Sequence, residues 1–251
     1  MSDPGTVYLV GAGPGAEDLL TVRAVRLLRD ADIVFHDALV SQDILDLAAS
    51  ARLVPVGKRC GAHSARQQDI NALLIEAART HRCVVRLKGG DPMLFGRAQE
   101  ELSALSQAGI PVEVVPGISA AFGASASVLQ SLTERGRSRS VAFLTPRIGE
   151  DTVAWDWALP AAAADTSVLY MAGRDASAVA AALQLAGIPP SRPCVIVESA
   201  TLPGERVLPT RLSGLARTCA RLGDGPALVM IGEVYESIVQ QSESETERRF
   251  A

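Results

Sequence analysis

Short apolar runs alternate along the chain with longer stretches in which apolar residues recur at helical spacing. Residues 6–10 form a β-branched, apolar run that stops at Gly11, Gly13 and Gly15, the pattern of a buried strand feeding a turn. Asp18 or Thr21 then offers a cap for a helix reaching about Asp30, with Leu20, Ala24, Leu27 and Leu28 on one face. Strands are expected at 33–35, 83–87 and 112–115, and helices at 67–81 and 98–108. Pro116-Gly117 interrupts this rhythm and marks a domain boundary. Past it, strands are expected at 141–145, 167–171, 195–198, 206–208 and 227–231, and helices at 175–186 and 211–221. Residues 161–164 fit a helix end or a loop. The polar stretch 240–249 predicts a frayed tail. The alternation predicts an α/β protein with mostly parallel sheets. It divides into an N-terminal α/β domain (1–116), a C-terminal α/β domain (117–239) and a disordered tail (240–251).

Composition narrows the function. A chain of 251 residues, 48% hydrophobic and 21% charged, is neither disordered nor collagen-like. A net charge of −4 argues against a protein that coats nucleic acid by neutralising phosphates. Aromatic content of 4% is too low for a single-strand stacking platform. No run approaches the roughly 20 apolar residues of a membrane span. The first residues lack the basic and apolar regions of a signal peptide. Cys60, Cys83, Cys194 and Cys219 lie far apart without a CxxC pair, which disfavours a disulfide scaffold or a structural zinc. A cytoplasmic protein is expected, with no membrane, nucleic-acid or metal partner.

The chemistry concentrates in glycine-rich turns. Gly11-Ala12-Gly13-Pro14-Gly15-Ala16 satisfies the dinucleotide spacing G-x-G-x-x-[GA], with Asp32 or Asp37 near where a ribose-binding acid would stand. Pro14 is unusual there, because a pyrophosphate site wants free N–H groups. This loop alone leaves nucleotide binding and a tight structural turn equally open. Arg86-Leu87-Lys88-Gly89-Gly90-Asp91-Pro92 follows another strand, and ligands of open α/β sheets collect at such strand ends. Taken singly, Asp91 reads as a turn cap, Lys58 as a solvated charge and Met171 as core filler. Two glycine loops at two strand ends of one sheet favour a ligand. Val115-Pro116-Gly117-Ile118-Ser119-Ala120 adds a third element at the boundary.

Together, VGAGPGAEDLLTVRA (10–24), DALV (37–40), VGKRCGAHS (56–64), VVRLKGGDPMLFGR (84–97) and VVPGISAAFGA (114–124) resemble the S-adenosylmethionine-dependent tetrapyrrole (precorrin) methyltransferases. Within that family they are most similar to the branch acting on uroporphyrinogen III. Weaker echoes follow in LYMAG (169–173) and IGEVY (231–235). The resemblance implies two α/β domains with the methyl donor in the cleft between them. It places Pro14, Gly89, Gly90, Asp91, Leu94, Ser119, Ala120, Met171 and Ala200 around S-adenosylmethionine, with S-adenosylhomocysteine as product. It assigns the proton acceptor to Asp37 and the proton donor to Lys58, and places Arg97, His63 and Gln67 along the tetrapyrrole. It further implies a homodimer and a role in sirohaem or cobalamin synthesis. Because only five residues precede the first strand, no fused dehydrogenase–ferrochelatase module is expected.

Four departures fall where the tetrapyrrole should sit. They are Ser131 and Glu134 in a segment usually Pro-Leu-Thr-His-Arg, Pro146-Arg147 for Gly-His, Ala98-Gln99 for Gly-Gly, and Ala38 for an arginine. They bear on substrate more than on reaction type. Alternatives are an enzyme of the same superfamily acting on a later corrin precursor, and a nucleotide-binding protein or nicotinamide oxidoreductase built on the first glycine loop.

Overall fold

The structure, a computed structural model, describes residues 4–57, 67–147 and 156–250. The chain divides into two units after Ala120. The sequence placed the division at Pro116-Gly117. Gly117 instead stays with the first unit, because its N–H donates to the Asp91 carboxylate at 2.9 Å.

The first unit holds β1 (Thr6–Gly11), α1 (Val22–Asp30), β2 (Ile33–His36), α2 (Gln42–Asp46), β3 (Arg52–Pro55), α3 (Gln67–Thr80), β4 (Cys83–Lys88), α4 (Ala98–Gln107) and β5 (Val112–Val115). Its five strands are all parallel, in the order β3-β2-β4-β1-β5. Alternation along the buried strands sorts the core onto two faces. Val7, Leu9, Phe35 and Val84 pack under α3 and α4. Val10, Val34, Val85 and Leu87 pack under α1 and α2. Of the two cap candidates, Thr21 is the one used: its hydroxyl accepts from the Ala24 N–H, and such caps contribute about 1 kcal/mol. The chain leaves β1 toward β2 and leaves β4 toward β5 on the opposite side, so the C-terminal ends of the neighbours β1 and β4 form a switch point. Strand β3, with mostly exposed residues and Pro55 at its end, was not expected. An edge strand tolerates that proline and carries little of the apolar signal.

The second unit takes in α5 (Ala120–Ser127) from its second residue onward, then β6 (Val141–Leu144), α6 (Ala158–Ala163), β7 (Thr166–Tyr170), α7 (Ala176–Leu185), β8 (Pro193–Glu198), β9 (Arg206–Arg211), α8 (Leu215–Cys219), β10 (Ala227–Gly232) and α9 (Glu236–Phe250). Its sheet runs β6-β7-β10-β8-β9, and only β6 and β7 are parallel. The expectation of a mostly parallel sheet therefore fails in this half. The connection from β8 to β9 is too short for a parallel crossover, which needs about a dozen residues, so β9 returns antiparallel. The segment 161–164 resolves as the end of a helix, α6.

The tail is helical where fraying was expected. Val239 of α9 is buried, and Arg211 at the end of β9 grips both Glu236 and Glu243 through four hydrogen bonds of 2.9–3.1 Å. Those bonds hold the Glu236 carboxyl below the usual glutamate value. A carboxyl depressed on folding stabilises above its unfolded value of 4.5, and the contribution is lost as pH falls through the folded value. Helical signal from α9 is therefore expected to weaken on acidification below about pH 4.5 and in high salt. In Arg211→Ala that pH dependence should shrink, with only the weaker pull of Gln240 and Arg137 left on Glu236, read by NMR chemical shifts of residues 236–245.

Candidate functional site

Two glycine loops meet at the switch point and hydrogen-bond to each other. Gly13 and Gly90 form an antiparallel bridge, each N–H donating to the other's carbonyl at 3.2 and 2.7 Å. Both sit in the left-handed region, with φ of +70° and +67°, where only glycine is free of strain. The loop after β5 closes over them. A Cβ on Gly117 would lie 2.3 Å from the Gly90 carbonyl oxygen and 2.8 Å from the Gly11 Cα. Asp91 ties the assembly: Oδ1 accepts from the Met93 N–H at 2.8 Å and Oδ2 from Gly117.

This geometry removes the dinucleotide reading. The Gly13 and Gly90 N–H groups are already engaged, and α1 begins only at Val22, so the α-helix that follows β1 does not start at the glycine turn, as a dinucleotide site requires. Asp32 lies at the opposite edge of the sheet, where its carboxylate accepts from the Arg82 and Cys83 N–H groups.

Beneath the loops lies a cluster of charges that the sequence analysis did not single out. Arg86 and Lys88, two apart on β4, both point to the α4 face and meet Glu101. The Glu101 side chain is 0% exposed, and the two cations are each 3% exposed. Arg86 Nε donates to Glu101 Oε1 at 3.0 Å, and Lys88 Nζ donates to both glutamate oxygens at 3.0–3.1 Å. Arg86 Nη1 donates to the Leu87 carbonyl, and Nη2 reaches Asp37 Oδ1 at 2.5 Å. Burial, and next the Arg86 charge, hold the Lys88 ammonium below its ordinary value against the pull of Glu101 and Asp37. With Asp37 included, two cations face two anions. The available signal was a pair of charges at strand spacing on an otherwise apolar central strand.

The structure brings many of the expected residues to this edge. Asp37 follows β2, its N–H bonded to the Leu87 carbonyl at 3.2 Å, and it lines an open cavity of about 330 Å³. A Cβ on Gly89 would meet Leu39 of the same loop at 3.6 Å. Pro14 lies in the first glycine loop, and the Leu94 N–H bonds to the Asp91 carbonyl. Ser119 is buried, and Ala120 opens α5 with its nitrogen 3.8 Å from where a Gly90 Cβ would stand.

Other candidates are used differently. Gln67 was expected along the substrate, but its amide donates to Glu101 Oε1 at 3.2 Å and helps satisfy the buried cluster. Arg97 forms a bidentate pair with Glu100, one turn along α4, on the surface. Lys58 and His63 lie outside the described residues. Met171 and Ala200 belong to the second unit, after β7 and β8, whose C-terminal ends share one sheet edge. Met171, Ser199 and Thr201 have φ of +58°, +52° and +66°. Such non-glycine strain concentrates at functional sites and gives these two turns a physical signal of their own.

The sequence model of the tetrapyrrole (corrin/porphyrin) methylases matches residues 6–216. The chain belongs to this family. It is 44% identical over 236 residues to the siroheme synthase of Hahella chejuensis, covering 93% of this chain and 50% of that protein. The chain thus spans about half the length of the curated relatives it matches. Among solved structures, it is similar to the Thermus thermophilus uroporphyrin-III C-methyltransferase complexed with S-adenosylhomocysteine. That match has a TM-score of 0.82 and 39% identity, over 93% of this chain and 100% of that one. A cobalt precorrin-4 methyltransferase of cobalamin biosynthesis matches with a TM-score of 0.79 and 28% identity, over 91% and 95% of the two chains. Family membership explains why the glycine loops imitate a dinucleotide fingerprint while their backbone does different work. Among the described residues, no helix of this methylase is long and apolar enough to cross a membrane.

Two expectations follow. Glu101→Gln takes the anionic partner from buried Lys88 and leaves Arg86 with Asp37 alone, and removing one partner of a buried pair costs about 3–5 kcal/mol. The urea midpoint should fall accordingly, and fall less in Lys88→Met, which leaves the Arg86–Glu101 pair. Gly117→Ala pushes a Cβ into the Gly90 backbone and should lower the melting temperature more than Gly109→Ala, a left-handed position with open space.

Proposed function

We propose that this methylase transfers methyl groups from S-adenosylmethionine to two pyrrole carbons of uroporphyrinogen III, giving precorrin-2 by way of precorrin-1. The observation that carries this reading is one sheet edge holding both the interlocked loop 89–91 and the Asp37 carboxylate. It is supported by the likeness to a uroporphyrin-III C-methyltransferase solved with S-adenosylhomocysteine. The residues present fit the donor: the loop offers backbone at a glycine whose absent side chain leaves open space beside Ala120. Pro14, Gly89, Gly90, Asp91, Leu94, Ser119 and Ala120 are the proposed donor contacts in the first unit, and Met171 and Ala200 those in the second. Asp91 contributes chiefly by holding the loop, since both its oxygens already accept backbone N–H groups.

When bound, the donor supplies an electrophilic methyl group to an electron-rich pyrrole carbon. The protein's own work is to align the two centres, keep water out and manage a proton. Asp37 accepts the proton released as the ring rearranges, and Lys58 supplies one. The substrate's eight carboxylates call for cations. Arg97 presents a guanidinium whose pairing with Glu100 is at the surface, where such pairs are worth at most about 1 kcal/mol, so a substrate carboxylate can take it over. Exposed Leu39, Met93 and Phe95 on the same edge loops offer apolar surface to a reduced, flexible macrocycle. His63 and Gln67 complete the proposed substrate contacts, Gln67 from its place beside the buried cluster. The proposed assembly is a homodimer.

Anaerobic incubation with uroporphyrinogen III and labelled donor should add two methyl groups, read by mass spectrometry. No transfer to uroporphyrinogen III, with transfer to a later corrin precursor, moves the substrate assignment. Asp37→Asn should slow single-turnover transfer by about 10²- to 10⁴-fold, with donor affinity within a few-fold of wild type. A wild-type rate in that variant overturns Asp37 as the base.

A further inference from the structure

We infer that Arg86 is a positioning residue for the reaction, and that it acts through Asp37 while itself remaining out of reach of the substrate. The inference rests on the reading of Asp37 as the proton acceptor.

Every nitrogen of the Arg86 fork has a protein acceptor. Nε is bonded to Glu101, Nη1 to the Leu87 carbonyl and Nη2 to Asp37. With 3% of its side chain exposed, Arg86 cannot reach a ligand. Asp37 is 29% exposed and stands where the buried cluster meets the open edge. The guanidinium holds Oδ1, and among the described residues Oδ2 accepts no hydrogen bond. One oxygen is thus fixed, while the carboxylate as a whole still lines the open cavity beside β2. Glu101 in turn fixes Arg86, because the guanidinium plane is set by Nε on one side and Nη2 on the other. Lys88 answers the second charge of the cluster and runs directly into Gly89. The same buried glutamate therefore anchors the strand that carries the donor loop and the arginine that orients the base. A lysine in place of Arg86 keeps the charge but has no planar fork to span two carboxylates at once.

The test is a double-mutant cycle on the full chain with Arg86→Lys, Asp37→Asn and the pair, read as single-turnover methyl transfer at saturating donor and uroporphyrinogen III. Arg86→Lys is expected to slow transfer by about ten- to a hundredfold, the scale of a misaligned reacting group, with donor KM within a few-fold. Combined with Asp37→Asn it should add little further loss, because both changes disable one device. Asp37→Asn at wild-type rate overturns the base, and the positioning role falls with it. A slow Asp37→Asn beside a wild-type-rate Arg86→Lys, or multiplied losses in the pair, overturns the positioning role alone. Hydrogen exchange over residues 37–41 reads the same coupling without turnover. It should speed up in Arg86→Lys, and in Arg86→Gln if the lysine variant does not fold, but not in Lys88→Met, which perturbs the cluster without touching Asp37. Equal exchange in the Arg86 and Lys88 variants overturns the inference.

Discussion

A carboxylate with none of its side chain in water must have its charge answered on the spot, and Glu101 is answered twice. Its neighbours Arg86 and Lys88 are drawn onto one face of β4, Gln67 is turned inward from the start of α3, and the first turn of α4 is pinned against the sheet. Replacing such a cluster with hydrocarbon is often neutral for stability, so its presence does not explain itself as a stabiliser. What it supplies is fixed placement. The cluster sits directly below the sheet edge where Asp37 and the Gly89-Gly90 turn emerge, and both are attached to it.

The glycine loops set a second constraint of a different kind. Their residues are forced by other backbone before any ligand is considered. Gly13 and Gly90 exchange hydrogen bonds, and Gly11 and Gly117 allow main chains to touch. Three loops from three strands are thereby joined into one surface, with Asp91 as the tie. This methylase shares glycine spacing with dinucleotide-binding proteins, yet the Gly13 and Gly90 N–H groups are consumed in joining loops. The same spacing serves two incompatible uses of the backbone.

Much of the first unit could be read from the residues, because buried parallel strands are apolar runs and its helices repeat their apolar positions cleanly. The second unit was harder. Ala120–Ser127 is built largely from small residues, which carry little periodic contrast, and its helix was not expected, whereas Ala176–Leu185 matches the helix expected at 175–186. Direction within its sheet depends on a short connection after Glu198 that hydropathy does not report. The tail was misjudged because its hold is a long-range grip by Arg211, which no local pattern announces. At the site, motif resemblance led to Asp37 and the loop 89–91, whereas the buried partners of Asp37 needed coordinates. Arg86 and Lys88 were in view as part of a motif, but their shared face matters only once Glu101 is seen opposite.

Glu100 and Glu101 are adjacent on α4 and face opposite ways, one to Arg97 at the surface and one to the buried cations. Successive residues of a helix are turned by about 100°, so the two cannot exchange places without rotating the whole element. A slip of α4 by one residue in its seat against the sheet would demand that rotation and would carry the wrong carboxylate to Arg86. The register of α4 against β4 is therefore fixed to the single residue, whatever path the chain takes between Asp91 and Arg97.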